Sequence, residues 1–252
     1  MTLHPKIRLD NLLVDRGIAP TRERARAMIL SGIVLVEENR VDKAGALIAQ
    51  DAAVRLKGAD HPYVSRGGLK LKGALDRFAI PVKDLICIDV GASTGGFTDC
   101  LLQEGAAKVY AVDVGYGQLA WRLRQDNRVI SMERTNIRYF DGQGLQDMID
   151  FATIDASFIS LKLVVPAVIP LISSDAAILA LIKPQFEVAK EEVGKGGVVQ
   201  EPVIHNRVLQ DISEFCKSLN LEVEGTCASP ILGPAGNREF FILARKKEQN
   251  GN

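Results

Sequence analysis

The chain lacks an excess of charge of either sign. Its 252 residues include 31 lysines and arginines and 31 aspartates and glutamates, so the formal net charge is zero. A protein without a global positive field can bind nucleic acid only through a local basic patch. Composition therefore argues neither for nor against RNA as a partner. The apolar share of 47% and the charged share of 25% are typical of a soluble globular protein with one or two cores.

Cysteine is scarce, and its four copies are not spaced as metal ligands. Cys87, Cys100, Cys216 and Cys227 form no C-x-x-C pair. Cys87 and Cys216 lie in apolar stretches, where a small buried thiol is expected. We therefore expect no metal site.

A long uninterrupted apolar run is also missing. A membrane-spanning helix needs about 20 apolar residues in succession. The most apolar region, 161–182, instead predicts a helix, a turn and a buried strand. Charged residues near the start of the chain precede any long apolar stretch, so we expect no signal peptide and a cytoplasmic protein. The residues that interrupt the apolar region are Lys162, Pro166, Pro170 and the turn sequence Ser173-Ser174-Asp175.

Short elements fill the chain up to about residue 57. Leucines at helical spacing predict a helix over 8–16, and Thr21 is placed to cap a second helix that runs toward Leu30 and stops at Gly32.

A hairpin and a strand are predicted to follow. The stretch IVLVEENRV predicts a tight hairpin that turns at Glu38 and Asn39, and AAVRLKG predicts a further strand. Gly58–Pro62 is expected to be a connector.

Arginines cluster on the predicted second helix. Arg22 and Arg26 are four residues apart with Arg24 between them, and Arg8 begins the predicted first helix. They offer a basic face to RNA phosphates, although a solvated helix face is the commoner fate of such charges. The helices, the stretch TRERARAMILSGIVLVEENRV and the final strand resemble the RNA-binding module named after ribosomal protein S4. The resemblance implies that residues 1–60 form a small α+β domain that contacts structured RNA through Arg8, Arg22, Arg24 and Arg26.

Apolar strands alternate with helices in the remainder of the chain. A helix is predicted in SRGGLKLKGALDRF. The predicted strands are LICIDVG, KVYAVDVG, FATIDAS, AAILALIKP, LEVEGTCAS and EFFILARKK. This alternation is the signature of a doubly wound, Rossmann-like α/β sheet, and we expect an antiparallel strand near the C-terminus. The second domain is predicted to span 61–252, with the connector near 58–64.

The segment ICIDVGASTGGFTDCLL combines a buried strand, a glycine-rich turn and the start of a helix. Its glycines do not fit G-x-G-x-x-G, and Asp89 in front of the turn is a poor neighbour for a pyrophosphate, so NAD is not expected. A cationic sulfonium ligand would tolerate this carboxylate. Asp113, which ends the next strand, is placed to bind a ribose diol. Taken singly, Asp89 could be a loop cap and Asp113 a turn residue.

These two segments resemble the first two motifs of S-adenosylmethionine-dependent methyltransferases. The resemblance implies that S-adenosylmethionine is the cofactor. The residues expected to hold it are Asp89, Gly91, Ser93, Thr94, Gly95, Gly96, Phe97 and Asp113.

Four charged residues are spread over the chain but can meet at the mouth of the predicted sheet. Lys70 lies in SRGGLKLKGAL, Asp155 ends FATIDA, Lys183 ends AAILALIKP, and Glu239 opens EFFILA. Such a set suits removal of a proton from a weakly acidic sugar hydroxyl, with cationic stabilisation of the alkoxide. We expect Lys183 to be the base, Asp155 and Glu239 to orient the lysines, and Lys70 to position the nucleotide or support the oxyanion. Which lysine is the base stays open.

The acceptor atom is predicted to be oxygen. Asp155 is followed by Ala-Ser-Phe, whereas methyltransferases that act on exocyclic base nitrogens usually carry Pro-Pro-aromatic there. No cysteine follows the strands that end at Asp155 and Lys183, so covalent attack on a pyrimidine carbon is not expected either.

The four residues match the tetrad of FtsJ-like ribose 2'-O-methyltransferases. The segments DASFISL, LIKPQFE, GKGGVV and GPAGNREFF, together with the small first domain, resemble the TlyA family over nearly the whole chain. Members of that family are rRNA cytidine 2'-O-methyltransferases that are also named hemolysins. The resemblance implies an enzyme that methylates 23S and, in some members, 16S rRNA, with ribosomal subunits as partners.

Other functions stay open at this point. Phe186, Glu187 and Gly194–Gly197 are expected to form a loop near the target nucleotide, or else an ordinary flexible connection. The chain could be a non-catalytic rRNA-binding or ribosome-assembly factor. A membrane-lytic protein would need an amphipathic or spanning element, which the sequence does not show. The oligomeric state is not predicted.

Overall fold

The computed structural model describes residues 5–37, 39–56 and 61–246. The chain divides into two compact units, Met1–Pro62 and Tyr63–Asn252. Glu38 of the predicted hairpin turn and residues 58–60 of the predicted connector lie outside the described residues.

The first unit packs two helices against short strands. Helices α1 (Leu9–Asp15) and α2 (Arg22–Leu30) lie against each other. The hydroxyl of Thr21 accepts a hydrogen bond from the Arg24 amide, which confirms the predicted cap. The strands are β1 (Lys6–Arg8), β2 (Val34–Val36), β3 (Asn39–Arg40), β4 (Leu47–Ala49) and β5 (Val54–Leu56).

Strand pairing in this unit moves the predicted hairpin turn by one residue. Strand β2 pairs with β3 and β5, and β1 pairs with β4, all antiparallel. Val36 pairs with Asn39, so Asn39 belongs to the strand, and its prediction as a turn residue was wrong. Glu37 enters the turn instead, with φ +49°. Tight two-residue hairpins require positive φ at their first turn residue.

The second unit is a seven-stranded sheet with helices on both faces. Its strand order is β11-β12-β10-β9-β6-β7-β8. The strands are β6 (Ile86–Val90), β7 (Lys108–Val112), β8 (Val129–Met132), β9 (Ile149–Ile154), β10 (Ile172–Ile182), β11 (Leu221–Ala228) and β12 (Phe240–Lys246). The helices are α3 (Gly67–Phe78), α4 (Gly96–Gln103), α5 (Trp121–Arg124), α6 (Leu161–Val168), α7 (Pro184–Glu187) and α8 (Pro202–Ser218).

The sheet is parallel except for one strand. Strands β8, β7, β6, β9 and β10 run in the same direction, and β12 is antiparallel to β10 and to β11. The predicted antiparallel strand near the C-terminus is therefore confirmed. One apolar cluster joins the sheet to α3 and α4, and a second joins the opposite face to α6 and α8.

Two details of the second unit differ from the prediction. Strand β8 was missed because a run of four residues at the sheet edge is too short to show the periodicity of a strand. Ser173–Asp175 belong to strand β10, not to a turn. The pairing of β10 with β9 is irregular between Ile172 and Ala177. Polar residues are tolerated at this irregularity, and their sequence therefore resembles that of a turn. No helix in the described part of the chain is long and apolar enough to cross a membrane.

Candidate active site

The strand ends bring most of the predicted catalytic residues to one edge of the sheet. Strands β6, β7 and β9 end in register, and β10 continues two residues beyond the end of β9. Strand β12 runs the other way, so its first residue, Phe240, pairs with Ile182 at the end of β10. Residues that flank these ends are therefore neighbours. They are Asp113 after β7, Asp155 after β9, Lys183 after β10 and Glu239 before β12.

Helix α3 supplies the remaining member of the tetrad. Lys70 lies among the buried residues of this helix, with Leu71 and Leu75, and is only 7% exposed. Its Nζ donates a hydrogen bond of 2.6 Å to Oε2 of Glu239, which is 1% exposed. A buried ammonium without a partner is strongly unfavourable. The Glu239 carboxylate removes that cost.

Lys183 makes the second ion pair of the site. Its Nζ lies 2.5 Å from Oδ1 of Asp155, as a charge pair without the alignment of a hydrogen bond. The same Nζ donates to Oγ of Ser157 at 2.8 Å. Buried ion pairs contribute little to stability, because desolvation offsets their attraction. Two such pairs at one edge of the sheet are therefore better explained by chemistry than by folding.

One carboxylate oxygen of Glu239 has unused hydrogen-bond acceptor capacity. Its Oε1 is buried and has no hydrogen-bond partner within residues 5–37, 39–56 and 61–246. Gly233 closes over it, since a Cβ at that position would come within 2.1 Å of Oε1. An unpaired buried carboxylate oxygen is costly, so the site can accept a hydrogen bond from a ligand.

The three glycines of the predicted cofactor turn are explained by the protein's own packing. A Cβ on Gly91 would lie 2.7 Å from the carbonyl oxygen of Asp155, and Gly91 has φ +85°. A Cβ on Gly95 would meet Leu123 at 2.3 Å, and one on Gly96 would meet Ser65 at 2.2 Å. Missing side chains here let β6 approach the end of β9 and let α4 approach the segment before α3.

Asp89 is internal to the sheet. Its carboxylate has no exposed surface and accepts hydrogen bonds from the hydroxyls of Thr98 (2.7 Å) and Thr153 (3.2 Å). Burial raises the pKa of Asp89 to about 7, although both hydroxyls act to lower it. The group fixes the start of α4 from inside the core.

Asp113 joins two loops at the sheet edge. Its Oδ2 accepts a hydrogen bond from the Ser93 amide at 2.8 Å, and its Oδ1 accepts one from the Gly115 amide at 2.6 Å. The residue is half-buried, and exposed Val114 follows it. Each carboxylate oxygen has two lone pairs, so Asp113 can accept further hydrogen bonds from a ribose.

The other two predicted cofactor residues, Thr94 and Phe97, differ in exposure. Thr94 is exposed, and its carbonyl accepts the Ala120 amide. Phe97 is 3% exposed and stacks on Phe241 of β12, with ring centres 6.1 Å apart. The Phe97 side chain thus belongs to the core beneath the turn.

Three of the four predicted RNA-binding arginines converge on one carboxylate. Arg8, Arg22 and Arg26 all contact Asp10, which is completely buried. Arg24 points elsewhere and donates to the His61 carbonyl oxygen.

The predicted substrate loop separates into parts with different roles. Lys183 Nζ lies 6.0 Å from the ring centre of Phe186. Glu187 turns away and accepts hydrogen bonds from the Ser160 hydroxyl and the Leu161 amide at the start of α6. The Gly197 carbonyl is bound by the side chain of Asn237. An open cleft of about 770 Å³ lies beside Phe186, lined by Arg138, Phe158, Ser160, Leu163, Phe186 and Lys190.

Sequence reasoning missed three residues that organise the site. Ser157 was detectable as a hydroxyl two residues after Asp155. Asn237, 2% exposed, accepts the Val199 amide and lies in GPAGNREFF, a segment that was used only for the family resemblance. Asp10 carried a signal, because an acid two residues from Arg8 can serve as the partner of a cation cluster.

No metal-binding cluster of His, Cys, Asp or Glu is found in the part of the chain that the structure describes. Cys87, Cys100 and Cys216 are buried and Cys227 is half-buried, all as free thiols.

The sheet and its edge define a class of protein. The sheet is doubly wound and carries a glycine turn after β6 and an acid after β7. Two lysine-carboxylate pairs lie beside them. Together these features define an α/β methyltransferase. The FtsJ-like methyltransferase model matches residues 63–246, and the S4 domain model matches residues 7–54.

Individual relatives agree with these matches. YqxC of Bacillus subtilis, provisionally named an rRNA methyltransferase, is 52% identical over 238 residues, which cover 94% of this chain and 85% of that protein. The 16S/23S rRNA (cytidine-2'-O)-methyltransferase TlyA of Mycobacterium tuberculosis is 44% identical over 241 residues, or 95% and 90% of the two chains. A solved structure from Streptococcus thermophilus, provisionally named a hemolysin, has TM-score 0.76 and 46% identity and covers 97% and 90%.

The chain belongs to the FtsJ-like methyltransferase family, within the TlyA-like rRNA methyltransferases that also carry an S4 domain. The predicted family and fold class are confirmed.

Proposed function

We propose that this chain transfers a methyl group from S-adenosylmethionine to the ribose 2'-hydroxyl of a cytidine in 23S rRNA, with 16S rRNA as a second substrate to be tested. The observation that carries the proposal is the pairing of Lys70 with Glu239 and of Lys183 with Asp155 at one edge of the sheet. The name of the 44% identical relative supplies the acceptor atom and both rRNAs.

The residues at this edge fit the cofactor in part. S-adenosylmethionine supplies an electrophilic methyl group on a sulfonium centre. Asp113 has lone pairs left for a ribose diol, and the exposed Ser93 and Thr94 border the same turn. We expect Asp89, Phe97 and the three glycines to act by shaping the turn, because their side chains or Cα atoms face protein. A solved Listeria monocytogenes structure, provisionally assigned as an S-adenosylmethionine-dependent methyltransferase, shares the fold at TM-score 0.54 and 14% identity.

The tetrad is suited to handling the proton of a sugar hydroxyl. A ribose hydroxyl is a weak acid, so its oxygen needs a base or a nearby cation to become nucleophilic. We assign proton acceptance to Nζ of Lys183, with Asp155 and Ser157 fixing its position. Lys70, held by Glu239, positions the nucleotide or stabilises the alkoxide. The two lysines can exchange these roles without a change in the rest of the proposal.

Attack through a cysteine is poorly supported by the surroundings of the thiols. Burial raises the pKa of Cys100 to about 12 and that of Cys216 to about 11. Such thiols are not ionised near neutral pH and are weak nucleophiles. This favours direct transfer to oxygen.

RNA anchoring is assigned to residues 1–60 and the chemistry to 61–252. The match to the S4 domain and the exposed guanidinium groups of Arg8, Arg22 and Arg26 support the first assignment. Ribosomal subunits are the proposed partners, and the proposed location is the cytoplasm.

The direct test incubates the enzyme with unmodified ribosomal subunits and cofactor labelled in its methyl group. A 2'-O-methyl group blocks alkaline cleavage of the adjacent phosphodiester, so the labelled nucleotide should appear as a gap in an alkaline ladder. Label on a base without such a gap would refute the proposal.

The non-catalytic alternative gives a different result in the same experiment. A ribosome-assembly factor would bind subunits and cofactor but leave no label in either rRNA under any order of assembly. Lysis of cells or vesicles by detergent-free protein would instead support the hemolysin name.

A further inference from the structure

Asp10 is a buried carboxylate at a junction of three basic side chains. It has 0% exposed surface. Arg8 binds it through two parallel hydrogen bonds, Nε to Oδ1 at 3.0 Å and Nη2 to Oδ2 at 2.8 Å. Nε of Arg22 lies 3.2 Å from Oδ2, and Nε of Arg26 lies 3.5 Å from the same oxygen.

The backbone around Asp10 is held by main-chain hydrogen bonds, and Oδ1 of Asp10 also accepts the Asn11 amide at 3.1 Å. Its amide donates to the Ala44 carbonyl, and the Leu9 amide donates to the Ala46 carbonyl. Arg22 and Arg26 stand one turn apart on α2, while Arg8 ends β1. The carboxylate is thus anchored at the start of α1 and reaches side chains from two other elements.

The arrangement leaves basic groups facing outward. Glu23 on the same helix interacts with Arg22 and Arg26, so three positive charges against Asp10 and Glu23 give 3 − 2 = +1. The side chains of Arg8, Arg22 and Arg26 remain 39%, 50% and 56% exposed. Arg22 and Arg26 both approach Asp10 through Nε. Guanidinium has five N–H donors in a fixed fork, so one side can hold Asp10 while the terminal nitrogens face a phosphate.

We propose that Asp10 is a positioning residue of the RNA-binding face, which orders Arg8, Arg22 and Arg26 into one phosphate-binding array. The inference rests on the proposed function, because it assumes that this face binds rRNA. Without Asp10 the three flexible side chains would have to be ordered on binding, at a loss of affinity. The hydrogen bonds from Arg8 hold the pKa of Asp10 at about 2, so the anchor stays charged at every pH at which the enzyme works.

A plain electrostatic role predicts the opposite sign. If Asp10 only neutralises the cluster, its removal raises the positive charge and tightens RNA binding. If it only supports folding, its removal lowers the melting temperature and leaves the RNA affinity of the folded protein unchanged. Asp10→Asn distinguishes the three roles because asparagine keeps the size and removes the charge.

The test measures binding of the full chain to an unmodified 23S rRNA transcript over a range of salt concentrations, without cofactor. Asp10→Asn should weaken binding roughly three- to thirtyfold, despite its added positive charge. The matched control is Asp15→Asn at the exposed end of the same helix, which makes the same charge change and should leave binding unchanged or up to about twofold tighter. Unchanged or tighter binding by folded Asp10→Asn would overturn the proposal.

A second variant covers the case in which Asp10→Asn does not fold. Arg26→Lys keeps the charge, but its compact ammonium lacks the planar fork that presents donors to Asp10 on one side and to a phosphate on the other. Its affinity should fall at least about threefold, and wild-type affinity would overturn the proposal. If Arg22→Ala combined with Arg26→Ala also binds like wild type, the RNA-binding assignment of the face fails as well. If the double variant binds weakly while Asp10→Asn binds tightly, the face still binds RNA and only the positioning role of Asp10 is refuted.

Discussion

Single side chains decide the chemistry of the site, and Lys183 is the one whose role a charge-conserving exchange can test. Arginine retains the positive charge beside Asp155 but does not release a proton in proteins. If Lys183 is the base, Lys183→Arg and Lys183→Ala should both lower kcat by at least about 100-fold, with cofactor affinity nearly unchanged. Single-turnover methyl transfer and cofactor titration measure the two quantities. Substantial activity in Lys183→Arg would move the base role to Lys70.

Asp89 predicts a pH dependence of folding stability. Its pKa rises from 3.8 to about 7 on folding, so between these values the folded state holds a proton that the unfolded state has lost. Stability then falls as pH rises from about 4 to about 7, by a total on the order of 4 kcal/mol. Asp89→Asn should remove this dependence, so its stability relative to wild type should be higher at pH 8 than at pH 4.5. Urea unfolding at both pH values tests this, and a constant difference would contradict it.

The positions of polar residues were predictable, but their partners were not. Carboxyl ends of parallel strands meet at one edge, so Asp155 and Lys183 could be placed together from the sequence. The pairing of Lys70 with Glu239 depends on how α3 docks on the sheet, which no local pattern encodes. Asp89 looked like a ligand-facing acid because the sequence does not show that Thr98 and Thr153 enclose it.

Among the elements, the turn after β6 is the most sensitive to added bulk. Gly91→Ala combines a left-handed residue with a 2.7 Å contact to the Asp155 carbonyl. We expect a loss of roughly 2–4 kcal/mol in the free energy of unfolding and at least a tenfold loss of methyl transfer. Gly142→Ala is the control, because its φ of +87° is nearly the same and its nearest neighbour, a Leu171 methyl group, is 3.4 Å away. It should lose only about 1 kcal/mol. Equal losses in the two variants would show that strain alone matters.

Element prediction succeeded where apolar periodicity was long and failed where it was short. Within β6 to β10, the strands that are buried on both faces appear in the sequence as continuous apolar runs. Strands β1, β4 and β8 have three or four residues, and most of these are at least partly exposed. These strands are held in place by the strands with which they pair, so their own sequences show little of a strand pattern.

At the scale of the whole molecule, zero net charge leaves RNA binding to local groups. Replacing both Arg22 and Arg26 with alanine should weaken rRNA binding and make its logarithmic salt dependence shallower by about 0.7–0.9 for each phosphate that the variant no longer neutralises. Cofactor affinity should not change. Lys217→Ala, an exposed charge at the end of α8, is the control and should leave the slope as it is. Binding titrations at several salt concentrations provide the measurement, and equal slopes for all three proteins would remove α2 from the interface.

The reversed strand β12 has a consequence for the order of events during protein synthesis. Because this strand lies between β10 and β11, neither can take its final neighbours until residues 240–246 have left the ribosome. Glu239 enters with it, and Lys70, made some 170 positions earlier, then gains its counter-ion. A nascent chain halted before that point lacks Glu239, so Lys70 has no counter-ion. If the tetrad is the catalytic set proposed above, such a chain is inactive toward RNA until β12 has been made.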